Sequence, residues 1–244
     1  MDYQDINAST IDRWIAEGWE WGRPIGRESF ERARNGDWDV LLTPTKTVPH
    51  EWFGDLRGKR VLGLASGGGQ QMPIFAALGA VCTVLDYSKR QLESERAVAA
   101  REGYEIEIVR ADMSKPLPFA DGSFDLIFHP VSNCYVREVR PIWRECLRVL
   151  RPGGRLLAGM DNGVNFITDD EERRSSTACP STRSPIPTRW SSCGAATAAC
   201  SFPIRLPSRS AASSRRASRC SRSMRTQTAA GVSTSSASRA LSPR

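Results

Sequence analysis

The sequence predicts an α/β fold built on a doubly wound, mostly parallel sheet. Three observations carry the prediction. The apolar run Val61-Leu62-Gly63-Leu64-Ala65 is too short for a helix, suits a buried strand, and leads through Gly67-Gly68-Gly69 into a helical stretch. From there to Gly159, segments of strand and helix character alternate, which implies parallel pairing with right-handed crossovers. The third is an apolar stripe of helical period at Val139, Ile142, Trp143, Cys146, Leu147 and Leu150.

In chain order, residues 1–57 read as a polar, helical extension with a tryptophan theme: Trp14, Trp19, Trp21, Trp38 and Trp52. Ser9 or Thr10 is placed to cap a helix carrying Ile11, Trp14 and Ile15, and a second short helix is expected at 28–34. Pro44 and Pro49 make 42–49 an extended loop. The tryptophans suit two roles equally, core contacts under helices or the wall of a lid over a small ligand. After the glycines, 70–78 reads as a helix ending at Gly79, with Pro73 in its first turn. Residues 80–86 form a second strand that ends in Asp86, and Ser88 to Gln91 is a capping box for a helix reaching about Arg101. A third strand occupies 105–110 and a fourth 123–128, with His129 at its exit. The helix at 139–150 has Pro141 in its first turn and Arg148 and Arg151 at the negative end of its dipole. Pro152-Gly153 stops it before a fifth strand at 155–159.

Charge divides the chain. Residues 1–172 carry a net −6 and residues 173–244 carry +13, within a total of +7. The last segment has no Lys, Asp or Glu, is rich in Arg, Ser, Ala, Thr and Pro, and shows no helical or strand period. Disordered tails ordinarily lean on Glu, Lys and Gln; this composition is what a GC-rich gene yields when read out of frame. The reading is therefore a disordered, non-native tail created by a frameshift near codon 174. Its rival is an Arg/Ser-rich arm that binds nucleic acid through phosphates. The organisation is thus a helical lid or extension at 1–57, a domain at 58–172 and the tail at 173–244.

The first residues, MDYQDINAST, lack the basic start and apolar stretch of a signal peptide. No apolar run reaches the roughly 18–20 residues of a membrane span. The seven cysteines fall in no metal-ligand or disulfide spacing. These features point to a cytoplasmic protein with neither metal nor membrane partner; they do not specify an oligomeric state.

Strand, glycine turn and helix suit a nucleotide-type ligand, because glycine admits a ligand where a Cβ would intrude and a helix start favours an anion. Asp86, 19 residues after Gly67, is placed to hold ribose hydroxyls. A dinucleotide and S-adenosylmethionine both fit. The third glycine of a dinucleotide loop is missing, since Gln70, Gln71 and Met72 follow Gly69.

Four stretches decide between them: VLGLASGGG, VLDYS, RADMSKPLPFADGSFDLI and LRVLRPGGRLLAG. In this order and at these spacings, from about Lys59 to Gly159, the chain resembles class I S-adenosylmethionine-dependent methyltransferases, the type 11 methyltransferase domains. The resemblance implies a Rossmann-like fold, S-adenosylmethionine as cofactor and a small-molecule acceptor. It implies that Ala65, Ser66, Gly67 and Gly69 line the methionine and ribose, that Asp86 accepts from the ribose hydroxyls and that Tyr87 flanks the adenine. Asp112 would face the adenine amino group and Met113 would pack on the ring. The chain departs from the family at Gly63, where an acid usually helps hold the methionine end; Ser66, Gln70, Gln71 or the first 57 residues must replace it. It departs again after the fifth strand, where members add a helix and two strands that the tail cannot supply. Impaired transfer, or a non-catalytic remnant of the fold, is the alternative to an active enzyme, with a dinucleotide oxidoreductase behind both. Methyl transfer needs a base only for a protonated acceptor; His129, at the end of the fourth strand, is the candidate, and Asn133 and Tyr135 could orient the acceptor or simply form the turn.

Overall fold

The computed structural model describes residues 2–44 and 46–160. The expectations for 161–244, including the disordered tail and the frameshift, lie outside the described residues.

The N-terminal helix α1 (Tyr3–Ala16) starts earlier than predicted. Asp2 caps it and forms a box with Asp5, which leaves Ser9 and Thr10 inside the helix. Helix α2 (Arg27–Arg34) falls where expected. The loop around Pro44 is instead a small antiparallel hairpin of β1 (Leu41–Thr43) and β2 (Lys46–Thr47). Its two prolines exclude a helix but not edge pairing.

The main sheet contains β3 (Arg60–Leu64), β4 (Val81–Asp86), β5 (Ile106–Arg110), β6 (Phe124–His129) and β7 (Leu150–Ala158), in the spatial order β5-β4-β3-β6-β7, all parallel. Helices α3 (Met72–Ala77), α4 (Lys89–Glu102) and α5 (Arg140–Val149) connect them. Order reverses beside β3, and the carboxyl ends of β3 and β4 open there, the place where such sheets bind ligands.

Alternation along the strands feeds two cores. Val61, Val84 and Phe128 pack with Met72, Phe75 and Phe53 on one face. Leu62, Leu64, Leu85 and Ile127 pack with Ile142, Cys146 and Val149 of α5 on the other. Helix α5 is rotated relative to the sequence reading, since Val149 is fully buried and Leu147 is 77% exposed. The helix also ends before Pro152-Gly153. Leu150 already belongs to β7, and an irregularity opposite Phe124 and Leu126 absorbs the proline and glycines. Arg148 lies in the last turn of α5, as expected. It bonds Glu145, Asp121 and the carbonyls of Leu117 and Phe119, stapling the loop between β5 and β6. Among the described residues no helix is long and apolar enough to cross a membrane.

Candidate functional site

The carboxyl ends of β3 and β4 border a cavity of about 710 Å³. Ala65, Ser66, Gly67, Gln70, Asp86, Tyr87, Asp112 and Met113 all line it. Two predicted residues do not. Gly69 is buried behind the turn, and His129 lies wholly inside the fold.

The glycine turn is held from behind, by β4 and α4. The Gly67 N–H donates to Asp86 Oδ2 at 3.1 Å, the Gly68 N–H to the Gln91 carbonyl at 3.0 Å, and the Gly69 N–H to Glu95 Oε2 at 2.7 Å. These three amides fix the turn. A Cβ on Gly67 would lie 2.9 Å from Gln91 Cβ and 3.1 Å from Asp86 Oδ2. Glycine is required there by close approach. Ala65, at φ 48°, is the one positive-φ residue other than glycine among the described residues, and such strain gathers at ligand clefts.

Asp86 also accepts from the Ser88 N–H at 2.9 Å. Burial pushes its carboxyl above the ordinary carboxylate range, and the N–H groups of Ser88 and Gly67 oppose the shift. Because Asp86 takes the Ser88 N–H, the expected capping box is only half made: Ser88 Oγ accepts from the Gln91 N–H, but the Gln91 side chain does not return. Gln91 instead borders the cavity, where its buried Oε1 has no partner. Sequence reasoning assigned Gln91 to the cap and so missed it.

Helix α1 lies over this end of the sheet through polar contacts. Gln4 Nε2 donates to Asp112 Oδ1 at 3.2 Å, Tyr87 OH to Asp5 Oδ1 at 3.0 Å, and Asn7 Nδ2 to the Tyr135 carbonyl at 3.1 Å. Asp12 Oδ1 accepts from the Ser88 hydroxyl and the Arg90 N–H. Asp112 Oδ1 also accepts from the Ser114 N–H at 2.8 Å, an Asx turn that fixes its direction. Four of the five tryptophans divide between the two expected roles, and Trp52, 50% exposed, takes neither. Trp14, Trp19 and Trp21 line the cavity with Ile11, Leu41 and Leu42, while Trp38 stacks edge-on against Phe53 beside the core.

At Gly63 the space an acid would use is filled: an added Cβ would meet Met72 Sδ at 2.5 Å. Ser66 Oγ donates to Gln71 Oε1 at 3.4 Å, and Gln70 Nε2 donates to the Trp21 carbonyl. Arg23, whose guanidinium reaches the Gly18 carbonyl at 3.0 Å, is the one cation among the described lining residues. It too was missed, because nothing in the sequence brings residue 23 to the glycine turn.

His129 Nδ1 donates to the Leu64 carbonyl at 2.7 Å. Its Nε2 is buried without a partner, the edge of Trp143 is nearby, and burial lowers its pKa to about 4. The ring itself does not line the cavity; its Nδ1 lies 3.5 Å from the hydroxyl of Ser132, which does, and buried and neutral it acts as a strut under the end of β3. Asn133 is likewise structural, donating to the Gly159 carbonyl, whereas Tyr135 lines the cavity.

Residues 62–158 match the family model described as a methyltransferase domain. Over that stretch the chain resembles S-adenosylmethionine-dependent methyltransferases. An uncharacterized methyltransferase, YbaJ, of Bacillus subtilis is 44% identical over 165 residues, covering 68% of this chain and 65% of that protein. A demethylmenaquinone methyltransferase of Clavibacter sepedonicus is 40% identical over 100 residues, 41% of this chain and 40% of that one. The chain thus spans from two fifths to just under two thirds of these relatives' lengths. A solved S-adenosylmethionine-dependent methyltransferase from Mesorhizobium loti is 31% identical with a TM-score of 0.39, over 42% of this chain and 46% of that one. The methyltransferase domain takes in the glycine turn, Asp86, Asp112 and β7, while α1 and Trp14, Trp19 and Trp21 precede it.

Proposed function

We propose that this chain binds S-adenosylmethionine at the mouth of the sheet and transfers its methyl group to a small-molecule acceptor with a flat or apolar body. The observation that carries the reading is the pairing of a clamped glycine turn with the Asp86 carboxyl and an orphaned Gln91 Oε1, all bordering one cavity. Two acceptor groups side by side suit a ligand rich in hydroxyl and amine donors. Asp86 and Gln91 take the ribose hydroxyls. Leu85 and Met113 supply apolar walls for the adenine, with Tyr87 at its edge and Asp112 facing its amino group. Arg23 pairs with the carboxylate of the methionine end. When bound, the cofactor supplies an electrophilic methyl on a sulfonium, which already has a good leaving group.

The protein's part is to align the nucleophile and exclude water, a contribution that can reach several orders of magnitude. The indoles of Trp14, Trp19 and Trp21 form the aromatic wall that would orient such an acceptor. The relatives' names include a methyltransferase of a quinone precursor, which agrees with a ring-shaped acceptor. No imidazole lines the cavity among the described residues, so an acceptor that ionises in water, or needs no deprotonation, fits best. The test is release of S-adenosylhomocysteine across a panel of phenols, quinols, amines and thiols. Turnover that depends on one acceptor class supports the reading, and no release with any class contradicts it.

A further inference from the structure

Glu95 is unused by the chemistry above, yet it is 0% exposed and carries an ionisable group into the fold beside the ligand turn. Its Oε2 accepts from the Gly69 N–H at 2.7 Å and its Oε1 from the Tyr104 hydroxyl at 3.4 Å. Gly69 is held from the other side too, since its carbonyl accepts from the Ile25 N–H at 2.8 Å. It has φ 72°, and an added Cβ would collide with Val98 Cγ2 at 2.7 Å. The third glycine therefore lies outside the cavity lining. It is the anchor by which α4 sets the position of Gly67, and through it the spacing between the turn and Asp86. We propose that Glu95 is a positioning residue for the cofactor turn, and that cofactor affinity depends on the negative charge it places on the Gly69 amide.

This inference rests on the methyltransferase reading for the identity of the ligand, but not for the clamp. An amide bonded to a carboxylate is roughly twice as strongly held as one bonded to a neutral group. Protonation of Glu95 thus loosens the turn without removing it. The titratable groups around Glu95 are Tyr104, which donates to it, Asp86 and Cys82 on β4, and Arg101, which acts on Tyr104 from the same helix. Burial raises the Glu95 carboxyl to about 7, with the charge of Asp86 adding to the shift and the two hydrogen bonds opposing it. The sign for folding is opposite to the sign for binding. A carboxyl raised in the fold is costly when ionised, so its cost to stability develops as pH rises from 4.5 through about 7.

The experiment uses the full chain and Glu95→Gln, which keeps the volume and one acceptor. Calorimetric titration with S-adenosylmethionine between about pH 6 and pH 8.5 should show the unaltered chain losing affinity toward acid. The variant should bind about tenfold more weakly at high pH, with a flatter profile, since it holds the amide without charge. Its thermal midpoint at high pH should not fall, because the ionised carboxyl is gone; a merely structural Glu95 would lower the midpoint and leave the slope unchanged. Tyr104→Phe removes a donor to the carboxylate and should move the affinity loss to higher pH. In the absence of cofactor, the Gly69 amide proton shift should inflect near neutrality in the unaltered chain and not in Glu95→Gln. Equal affinity and slope in the two proteins, or no inflection at Gly69, overturns the proposal. If the unaltered chain binds no S-adenosylmethionine at any pH, the methyltransferase reading fails and the ligand half of the proposal with it; the Gly69 inflection decides the clamp separately.

Discussion

Gly63 offers the sharpest test of how this chain departs from its family. A methyl group there would lie 2.5 Å from Met72 Sδ, 3.0 Å from Met72 Cγ and 3.3 Å from Ser66 Cβ. Met72 is 0% exposed and sits among Val61, Phe75 and Phe128, so its thioether has nowhere to retreat. Gly63 does not have positive φ, so alanine meets no backbone penalty, and replacing a strand glycine alone would gain about 0.5–1 kcal/mol. Against that, forced overpacking costs about 1–3 kcal/mol. Gly63→Ala should therefore lower unfolding free energy by about 0–2.5 kcal/mol. Met72→Ala alone should cost about 2–5 kcal/mol, the usual range for emptying a buried methionine site. In the double variant the new methyl enters the vacated space, and the two losses should fall short of their sum by about 1–3 kcal/mol. Urea denaturation of the four proteins, with unchanged m-values, reads the cycle. Additive losses would refute the claim that Met72 has replaced the acid's space.

Asp86→Ala should weaken S-adenosylmethionine binding by about 1–3 kcal/mol with a nearly unchanged far-ultraviolet spectrum, because charge-assisted hydrogen bonds to the ligand are lost. Unaltered calorimetric affinity would leave Asp86 as a clamp for Gly67 and Ser88 only. His129 is buried neutral, its pKa lowered from 6.5 to about 4. It therefore contributes stability that is present above pH 6.5 and lost as pH falls toward 4, a difference of about 3 kcal/mol. His129→Asn, whose amide can replace the Nδ1–H donor without titrating, should show a shallower acid limb in chemical denaturation; an identical limb would contradict this.

The strands were legible because buried parallel strands write themselves as apolar runs, and Val61–Leu64, Val81–Leu85 and Phe124–Phe128 do so here. The helix boundaries were less so. Asp2 and Asp5 cap α1 through a box built on acids, which the search for Ser or Thr overlooked. Leu150 sits at a helical spacing but pairs in β7, because the ladder with β6 takes over from the helix there. In the site, Asp86 could be placed because it ends a strand, and Asp112 and the residues around Gly67 because their motifs resemble the family's. Gln91, Glu95 and Arg23 could not, since their roles arise from α4 and the 20–25 segment meeting the turn in space. The His129 reading failed for a related reason: ending a strand does not say which way a side chain points, and this one points inward to Leu64.

The central claim is that the cavity over β3 and β4 is a cofactor site. Calorimetric titration of the full-length chain with S-adenosylmethionine, beside a parallel titration with reduced nicotinamide dinucleotide, tests it most directly. The account predicts saturable, one-to-one binding of S-adenosylmethionine that Asp86→Ala weakens, and no heat of binding from the dinucleotide. Binding of the dinucleotide with none of S-adenosylmethionine would contradict it.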